Sequence, residues 1–155
     1  MNGRLLTLPA LLLWVAVAGF AAGPVPLHEW RLGQLVMPDA SGTRHAQVEG
    51  RITLETSPVR AMVFDGATTR LVLPNATATD LPKRAITIEM CVMPEHTARW
   101  GGVVGYFQDN GNYEKGWLLG YENDRFSFAL GTVAGPGRMT YLKSPKSFTL
   151  GRWYH

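Results

Sequence analysis

The sequence predicts an all-β fold, an antiparallel β-sandwich of the jelly-roll type, behind an N-terminal signal peptide. Two observations predict the sandwich: short runs of alternating apolar and polar residues recur along the chain, and clusters of turn residues separate them. A third is that no segment has the periodicity of a long amphipathic helix. The 17 glycines and 10 prolines among 155 residues agree with a chain of many turns.

The N-terminus has the order of a secretory signal peptide: a positive start, an apolar run over Leu5–Phe20 and then small residues. A membrane anchor is the alternative, but a spanning helix needs roughly 20 clean apolar residues. This run is shorter and contains Thr7 and Pro9. We therefore expect a signal-peptide helix over 1–21 and a mature domain over 22–155. We also expect no stable membrane span after cleavage and a secreted location, either extracellular or periplasmic.

Composition excludes two function classes. The formal net charge is +3, and the basic residues are scattered rather than clustered, which argues against nucleic acid as a partner. The single cysteine, Cys91, cannot form an internal disulfide, so no redox function is expected of it. Stability must come from a packed core or a bound ion.

The clearest predicted strand is "ITIEMCVM", Ile86–Met93, in which apolar residues occupy every second position and Pro94 ends the run. "LHEWRL" near the mature start predicts a first strand. "GGVVGYF" leads into Asn110-Gly111, a strong hairpin signal. The turn residues Glu122-Asn123-Asp124 separate two further apolar runs and predict a second hairpin.

These motifs, in this order, resemble the LamG-like jelly-roll domains of the concanavalin A-like lectin/glucanase superfamily. Phe64-Asp65-Gly66 is similar to the family's Phe-Asp-Gly strand end, and the Ile86–Met93 strand to its Phe-Thr-Ile-Glu strand. Gly151–His155 resembles its Gly-x-Trp-x-His signature, and Asp39–Gly50 its early Asp-Ser-Ser-Gly loop. The likeness spans nearly all of the mature chain.

The resemblance carries further expectations. In the family the Gly-x-Trp-x-His strand is followed by more strands, so the resemblance implies that the sandwich here is incomplete and that 22–155 is the N-terminal portion of the domain. Two departures stand out. Cys91 replaces the family's usual tryptophan, and Thr68 and Thr69 stand where relatives often carry acidic residues.

The sequence lacks the catalytic motifs of the hydrolases in that superfamily. Retaining glycosidases need two carboxyl groups roughly 5 Å apart. Glu122 and Asp124 begin such a signature, but Phe126 and Ser127 stand where the second glutamate belongs. There is no Gly-x-Ser-x-Gly elbow, and the four histidines lack zinc-ligand spacing. We expect no catalytic residues and no enzyme activity in this segment.

Calcium is the candidate cofactor, because it prefers several oxygen ligands from loops. Asp109, Asn110 and Asn112 are the candidate metal ligands, and Asp39 and Asp65 offer further oxygens. Each group also reads as an ordinary turn, and that alternative stays open.

Aromatic side chains on loops can stack on a sugar face. Trp100 and Tyr113 are the predicted ligand-binding residues, whereas other aromatic residues around the two hairpins are equally typical of core packing. The predicted function is a secreted, non-catalytic module that binds a glycan or an extracellular protein. The alternatives are an accessory module of a larger secreted hydrolase or phosphoesterase, whose catalytic domain lies beyond His155, and a structural spacer.

Overall fold

The computed structural model describes residues 5–7, 28–32, 38–40, 42, 44–57, 59–77, 82, 84–132 and 135–155. The secondary structure of this part of the chain is β-structure without helix. Its strands are β1 (Leu5–Thr7), β2 (Gln47–Glu49), β3 (Thr53–Glu55), β4 (Ala61–Phe64), β5 (Arg70–Val72), β6 (Val92–Pro94), β7 (Ala98–Asp109), β8 (Glu114–Asn123), β9 (Arg125–Gly131) and β10 (Met139–Lys143). All strand pairs are antiparallel, as predicted.

The chain divides into two compact units. The first is drawn from Met1–Ala76, Ala85–Glu95 and Trp153–His155, and the second from Thr77–Arg84 and His96–Arg152. Each unit contains its own antiparallel sheet.

In the first unit the strands of the main sheet follow the order β3-β4-β1-β6, and β2 pairs separately with β5. Ala61, Met62 and Val63 are buried in succession, which is typical of a central strand with both faces covered. Met62 and Leu32 form the core cluster, against which partly buried apolar side chains pack: Trp30, Ala46, Ile52, Leu54, Phe64 and Leu71.

The strand predicted at Ile86–Met93 is confirmed only in part. Ile86, Ile88 and Met90 are half-buried, whereas Thr87 and Glu89 are exposed, so the alternation is present. Ladder pairing, however, is confined to Val92–Pro94. Alternation of apolar and polar side chains indicates which face of the segment is covered. A β-strand also needs a second backbone segment to pair with, which alternation does not predict.

Two other N-terminal expectations change. The signal-peptide helix is not confirmed, because Leu5–Thr7 pairs as a strand between β4 and β6, and residues 8–21 lie outside the described residues. The strand predicted at "LHEWRL" is wrong for residues 28–32, which form only an isolated bridge between Trp30 and Asp39.

Tyr154, near the end of the described residues, pairs with Val92 in an isolated bridge. Tyr154 and Val92 exchange two backbone hydrogen bonds, each 2.9 Å long. The Gly151–His155 motif therefore contacts β6, which contains the end of the second motif, through this one isolated bridge.

In the second unit β7, β8, β9 and β10 form a meander in which chain neighbours are also sheet neighbours. Both predicted hairpins are confirmed. Gly111 has φ 81° in the first turn, and its N–H donates to Asp109 Oδ1 at 2.7 Å. Asn123 has φ 55° in the second, a conformation that asparagine tolerates better than most residues. β10 was not anticipated from the sequence.

Candidate ligand-binding groove

Strand register divides the side chains of the β7–β10 sheet between two faces of different chemistry. Ser127 lies opposite Gly120 and Lys143, and Ala129 lies opposite Leu118 and Tyr141. This surface is called the groove face. Residues between these positions point the other way, onto an apolar face that carries Trp117, Leu119, Tyr121, Phe126 and Phe128.

The apolar face accounts for two of the aromatic residues near the hairpins. Tyr121 is 4% exposed and meets Phe148 edge-to-face, with ring centroids 5.5 Å apart. Phe126 contacts Phe148 as well, at 5.0 Å. Burial raises the pKa of Tyr121. Tyr121 therefore serves packing, the alternative that the sequence left open, and the register places Trp117 on the same face.

The groove face contains a shallow cavity of about 360 Å³. Small residues from three strands line its floor: Gly102, Gly120, Ser127 and Ala129. Larger side chains line its walls: Trp100, Phe107, Leu118, Met139 and Tyr141. Alternating small residues in β8 and β9 were a visible sequence signal for this floor, and the sequence reasoning missed it.

Two aromatic side chains reach across the floor. Trp100 is in β7 and Tyr141 in β10, and three strand spacings of about 4.8 Å separate these strands by roughly 14 Å. Their ring centroids are nevertheless only 5.8 Å apart, with an interplanar angle of 49°. Both rings must therefore lean inward over the central strands, which is possible because Gly102, Gly120 and Ser127 are small.

Glu114 orients Tyr141. The Tyr141 hydroxyl donates to Glu114 Oε1 at 2.8 Å, and the Met139 N–H donates to Glu114 Oε2 at 3.0 Å. Burial, and next the hydrogen bond to this negatively charged partner, raise the pKa of Tyr141 to about 12. The phenol therefore remains a neutral donor at physiological pH, and its ring is held in place on the groove wall.

A charged pair lies beside the aromatic rings. Lys143 forms an ion pair with Glu122, which lies two residues beyond Gly120 on the same face of β8. The Lys143 ammonium group is 6.0 Å from the centre of the Trp100 ring, within cation–π range. Tyr141, Lys143 and Glu122 were not predicted as site residues, because only the folded sheet brings β10 to Trp100.

The two predicted ligand-binding residues lie in different places. Trp100 is 54% exposed and lines the groove. Tyr113 is 44% exposed and lies at the β7–β8 turn, at the other end of that hairpin, with its ring close to Gly137. The structure therefore does not bring the two residues into one surface.

The predicted calcium ligands are adjacent to the same turn. Asp109 Oδ1 accepts the Gly111 N–H, and the Asn110 N–H donates to the Tyr113 carbonyl at 3.0 Å. Within the described ranges, no three or more His, Cys, Asp or Glu side chains form a group that could hold a metal ion. Calcium binding by Asp109, Asn110 and Asn112 stays a prediction.

Asp65 organises the loop after β4. Its Oδ1 accepts the N–H groups of Ala67, Thr68 and Thr69 at 2.8–2.9 Å, and its Oδ2 accepts the Thr68 hydroxyl. These donors, above all the Thr68 hydroxyl, hold the pKa of Asp65 well below its usual range. Thr68 and Thr69 thus act here as donors to Asp65.

Asp39 has a similar role in the early loop. Its carboxylate is buried, with Oδ2 2.7 Å from His28 Nδ1 and 3.3 Å from the Arg44 N–H, and with Oδ1 3.0 Å from the Glu29 N–H. The Asp39 N–H donates to His45 Nδ1. These contacts give Asp39 a structural role in joining two loop segments.

The chain belongs to the concanavalin A-like lectin/glucanases superfamily, because a laminin G-type family model of that description matches residues 65–155. The resemblance inferred from the motifs is therefore confirmed, and the all-β antiparallel structure agrees with a jelly-roll domain. Neither a curated protein nor a solved structure gives a significant match.

Domains of this family are typically non-catalytic modules that bind carbohydrate or protein. No helix in the described part of the chain is long and apolar enough to cross a membrane. The coarse class of the protein is thus a lectin-like binding module, and the groove face is its candidate site.

Proposed function

We propose that the chain is an exported, non-catalytic recognition module that binds carbohydrate in the groove of the β7–β10 sheet. The single observation on which this proposal rests is the exposure of Trp100, whose side chain lines the groove and is 54% exposed. An indole ring presents a flat apolar face on which the C–H face of a sugar ring can stack while the sugar hydroxyls still reach polar groups.

The shape and chemistry of the groove support the same reading. Its volume of about 360 Å³ lies near the lower end of the range for small-ligand sites, roughly 300–1,000 Å³. The floor of glycine, serine and alanine leaves room for a flat ring. The walls combine aromatic faces with the carboxylates of Asp109 and Glu114. A mixture of this kind suits a hydroxyl-rich ligand better than a large apolar protein surface.

Export is supported by the sequence alone. The apolar run over Leu5–Phe20 predicts a signal peptide, and an exported module would meet glycans outside the cytoplasm. Expression of the intact gene in a secreting host, followed by N-terminal sequencing of the released protein, tests this. A mature N-terminus near residue 22 is expected, which requires β1 to leave its place between β4 and β6, and retention of residues 1–21 would contradict export by this route.

Binding is tested with Trp100→Ala on an array of neutral and acidic oligosaccharides, followed by calorimetry with the strongest hit. Loss of a stacking tryptophan should weaken binding at least about tenfold, since aromatic residues that a ligand covers on binding dominate such sites. Leu142→Ala is the matched control, because Leu142 is 67% exposed on the opposite face of the same sheet. Its affinity should stay within about twofold of the original chain.

Tyr113→Ala distinguishes the two predicted residues. If carbohydrate binding depends on Tyr113 and not on Trp100, the site lies at the β7–β8 turn rather than in the groove. If the intact chain binds no glycan on the array, carbohydrate recognition is refuted.

A further inference from the structure

Three polar side chains lie on the groove face near the Trp100 end of the groove. Ser127 in β9 lies between Lys143 in β10 and Gly120 in β8, its two partners across the ladder. Glu122 lies two residues beyond Gly120, on the same face of β8. Glu122 and Lys143 form an ion pair, with side-chain exposures of 22% and 44%. Carboxylate, ammonium and hydroxyl groups thus lie on neighbouring strands of one face, where Ser127 lines the cavity and the Glu122–Lys143 pair lies outside its lining residues.

Ser127 provides an independent indication of a ligand. The residue is 7% exposed and lines the groove, and its hydroxyl oxygen is buried without a hydrogen-bond partner among the described residues. Buried hydroxyl groups normally have a partner, because leaving one unpaired is unfavourable. A ligand hydroxyl that reached the floor would supply that partner.

The polar groups match a particular ligand chemistry. A carboxylate only accepts hydrogen bonds, an ammonium group only donates them, and a serine hydroxyl does both. Two adjacent hydroxyls of a sugar ring satisfy this set: one donates to Glu122, and its neighbour accepts from Lys143. The 6.0 Å between the Lys143 ammonium and the Trp100 ring centre places this pair within reach of a ring stacked on the indole.

The charge of the groove face disfavours acidic ligands. Glu122 forms an ion pair with Lys143, and the charged residues among those that line the cavity are the carboxylates Asp109 and Glu114. A sulfated or uronate sugar would compete with Glu122 for Lys143 and would meet uncompensated negative charge.

We propose that the groove selects a neutral pyranose with vicinal hydroxyls, which stacks on Trp100 and hydrogen-bonds to Glu122, Lys143 and Ser127. This inference rests on the proposed carbohydrate-binding function and adds the class of sugar. It assigns the specificity of the site to one end of the groove.

Ser127→Ala, Glu122→Gln and Lys143→Met test the proposal on an array that carries neutral hexose oligosaccharides, uronate oligosaccharides and sulfated oligosaccharides. We expect binding to the neutral set only. Ser127→Ala should weaken it about 2–10-fold, and each charge variant should weaken it by about tenfold or more. Thr140→Ala, on the opposite face of β10, is the control and should leave binding unchanged.

Stability separates a binding role from a packing role. Removing an unpaired buried hydroxyl should leave the melting temperature of Ser127→Ala equal to or above that of the original chain. A strong loss of stability would show that Ser127 has an internal partner and would overturn its role in binding.

The outcomes also separate the two proposals. The intact chain could instead bind acidic glycans, with this binding abolished by Trp100→Ala but unchanged in the three polar variants. That result overturns the specificity inference and leaves the groove as a carbohydrate site. An absence of binding to every glycan overturns both. Analogues of a neutral hit that lack one ring hydroxyl test whether two adjacent hydroxyls are recognised. Weaker binding of the 2-deoxy analogue than of the hit itself supports this recognition. Analogues that lack either of the two adjacent hydroxyls and still bind as well as the hit contradict it.

Discussion

An alanine at Gly101 should destabilise the β7–β10 sheet, whereas an alanine at Gly102 should not. The two residues are neighbours in β7, and neither has a positive φ, so the backbone permits a side chain at both. They differ in what the new methyl group would meet. At Gly101 it would lie 2.5 and 2.6 Å from two ring carbons of Tyr121, whereas at Gly102 its nearest neighbour is Leu118 Cδ1 at 3.5 Å.

The magnitude follows from these distances. Non-bonded carbon atoms have their optimum at about 3.5–4.0 Å, so the Tyr121 ring would have to move by roughly 1 Å. Tyr121 is 4% exposed and packs against Phe148, which leaves it little room. Overpacking of this kind costs about 1–3 kcal/mol. Replacing a strand glycine by alanine also stabilises by about 0.5–1 kcal/mol, and that gain is the same at both sites.

The difference between the two variants therefore isolates the steric term. Thermal denaturation followed by circular dichroism should place the melting temperature of Gly101→Ala roughly 2–12 °C below that of Gly102→Ala. Equal melting temperatures, or a lower value for Gly102→Ala, would refute the packing of Tyr121 over Gly101.

Two further predictions concern titrating groups. Asp65→Ala should lower the melting temperature more than Asp65→Asn, because an amide oxygen can still accept the loop N–H groups; equal losses would contradict this. The folded pKa of Asp65 lies below its unfolded value of about 4. The stability that the ionised Asp65 side chain contributes should therefore be complete above about pH 4 and be lost as the pH falls further. Acid denaturation of Asp65→Asn should lack this pH-dependent loss. Tyr141 should ionise near pH 12, against about 10 when unfolded, so stability should fall as pH rises through that interval. Glu114→Gln should move this ionisation, read by phenolate absorbance, to lower pH, and an unchanged titration would contradict the contact.

The parts of the fold that sequence predicts well are those encoded locally. Asn110-Gly111 and Glu122-Asn123-Asp124 predict two hairpins because the turn residues themselves favour the required backbone geometry. The same locality explains the partial result at Ile86–Met93, where alternation gives the covered face but does not reveal which backbone pairs with it. Only Val92–Pro94 has its partners in place.

The candidate site depends on relations across the sheet, which no single segment contains. Trp100 was predicted as an exposed aromatic residue, but its contact with Tyr141 depends on two intervening strands and on the small residues within them. β10 gave no clear signal, because the faces of this short strand mix apolar and polar residues. Lys143 therefore could not be predicted as a site residue from the sequence, because only the ladder register shows that it lies opposite Ser127.

The floor of the groove has a structural origin, and this decides where specificity can reside. A Cβ atom at Gly120 would collide with the backbone carbonyl of Gly101. The close approach of strand β7 therefore requires glycine at this floor position whatever the ligand. Because the fold itself imposes this part of the floor, binding preference can change chiefly through the side chains at its edges. In the proposed mode these are Trp100 for stacking and the Glu122–Lys143 pair for hydroxyl recognition, which are the positions where substitution should alter the choice of sugar without unfolding the sheet.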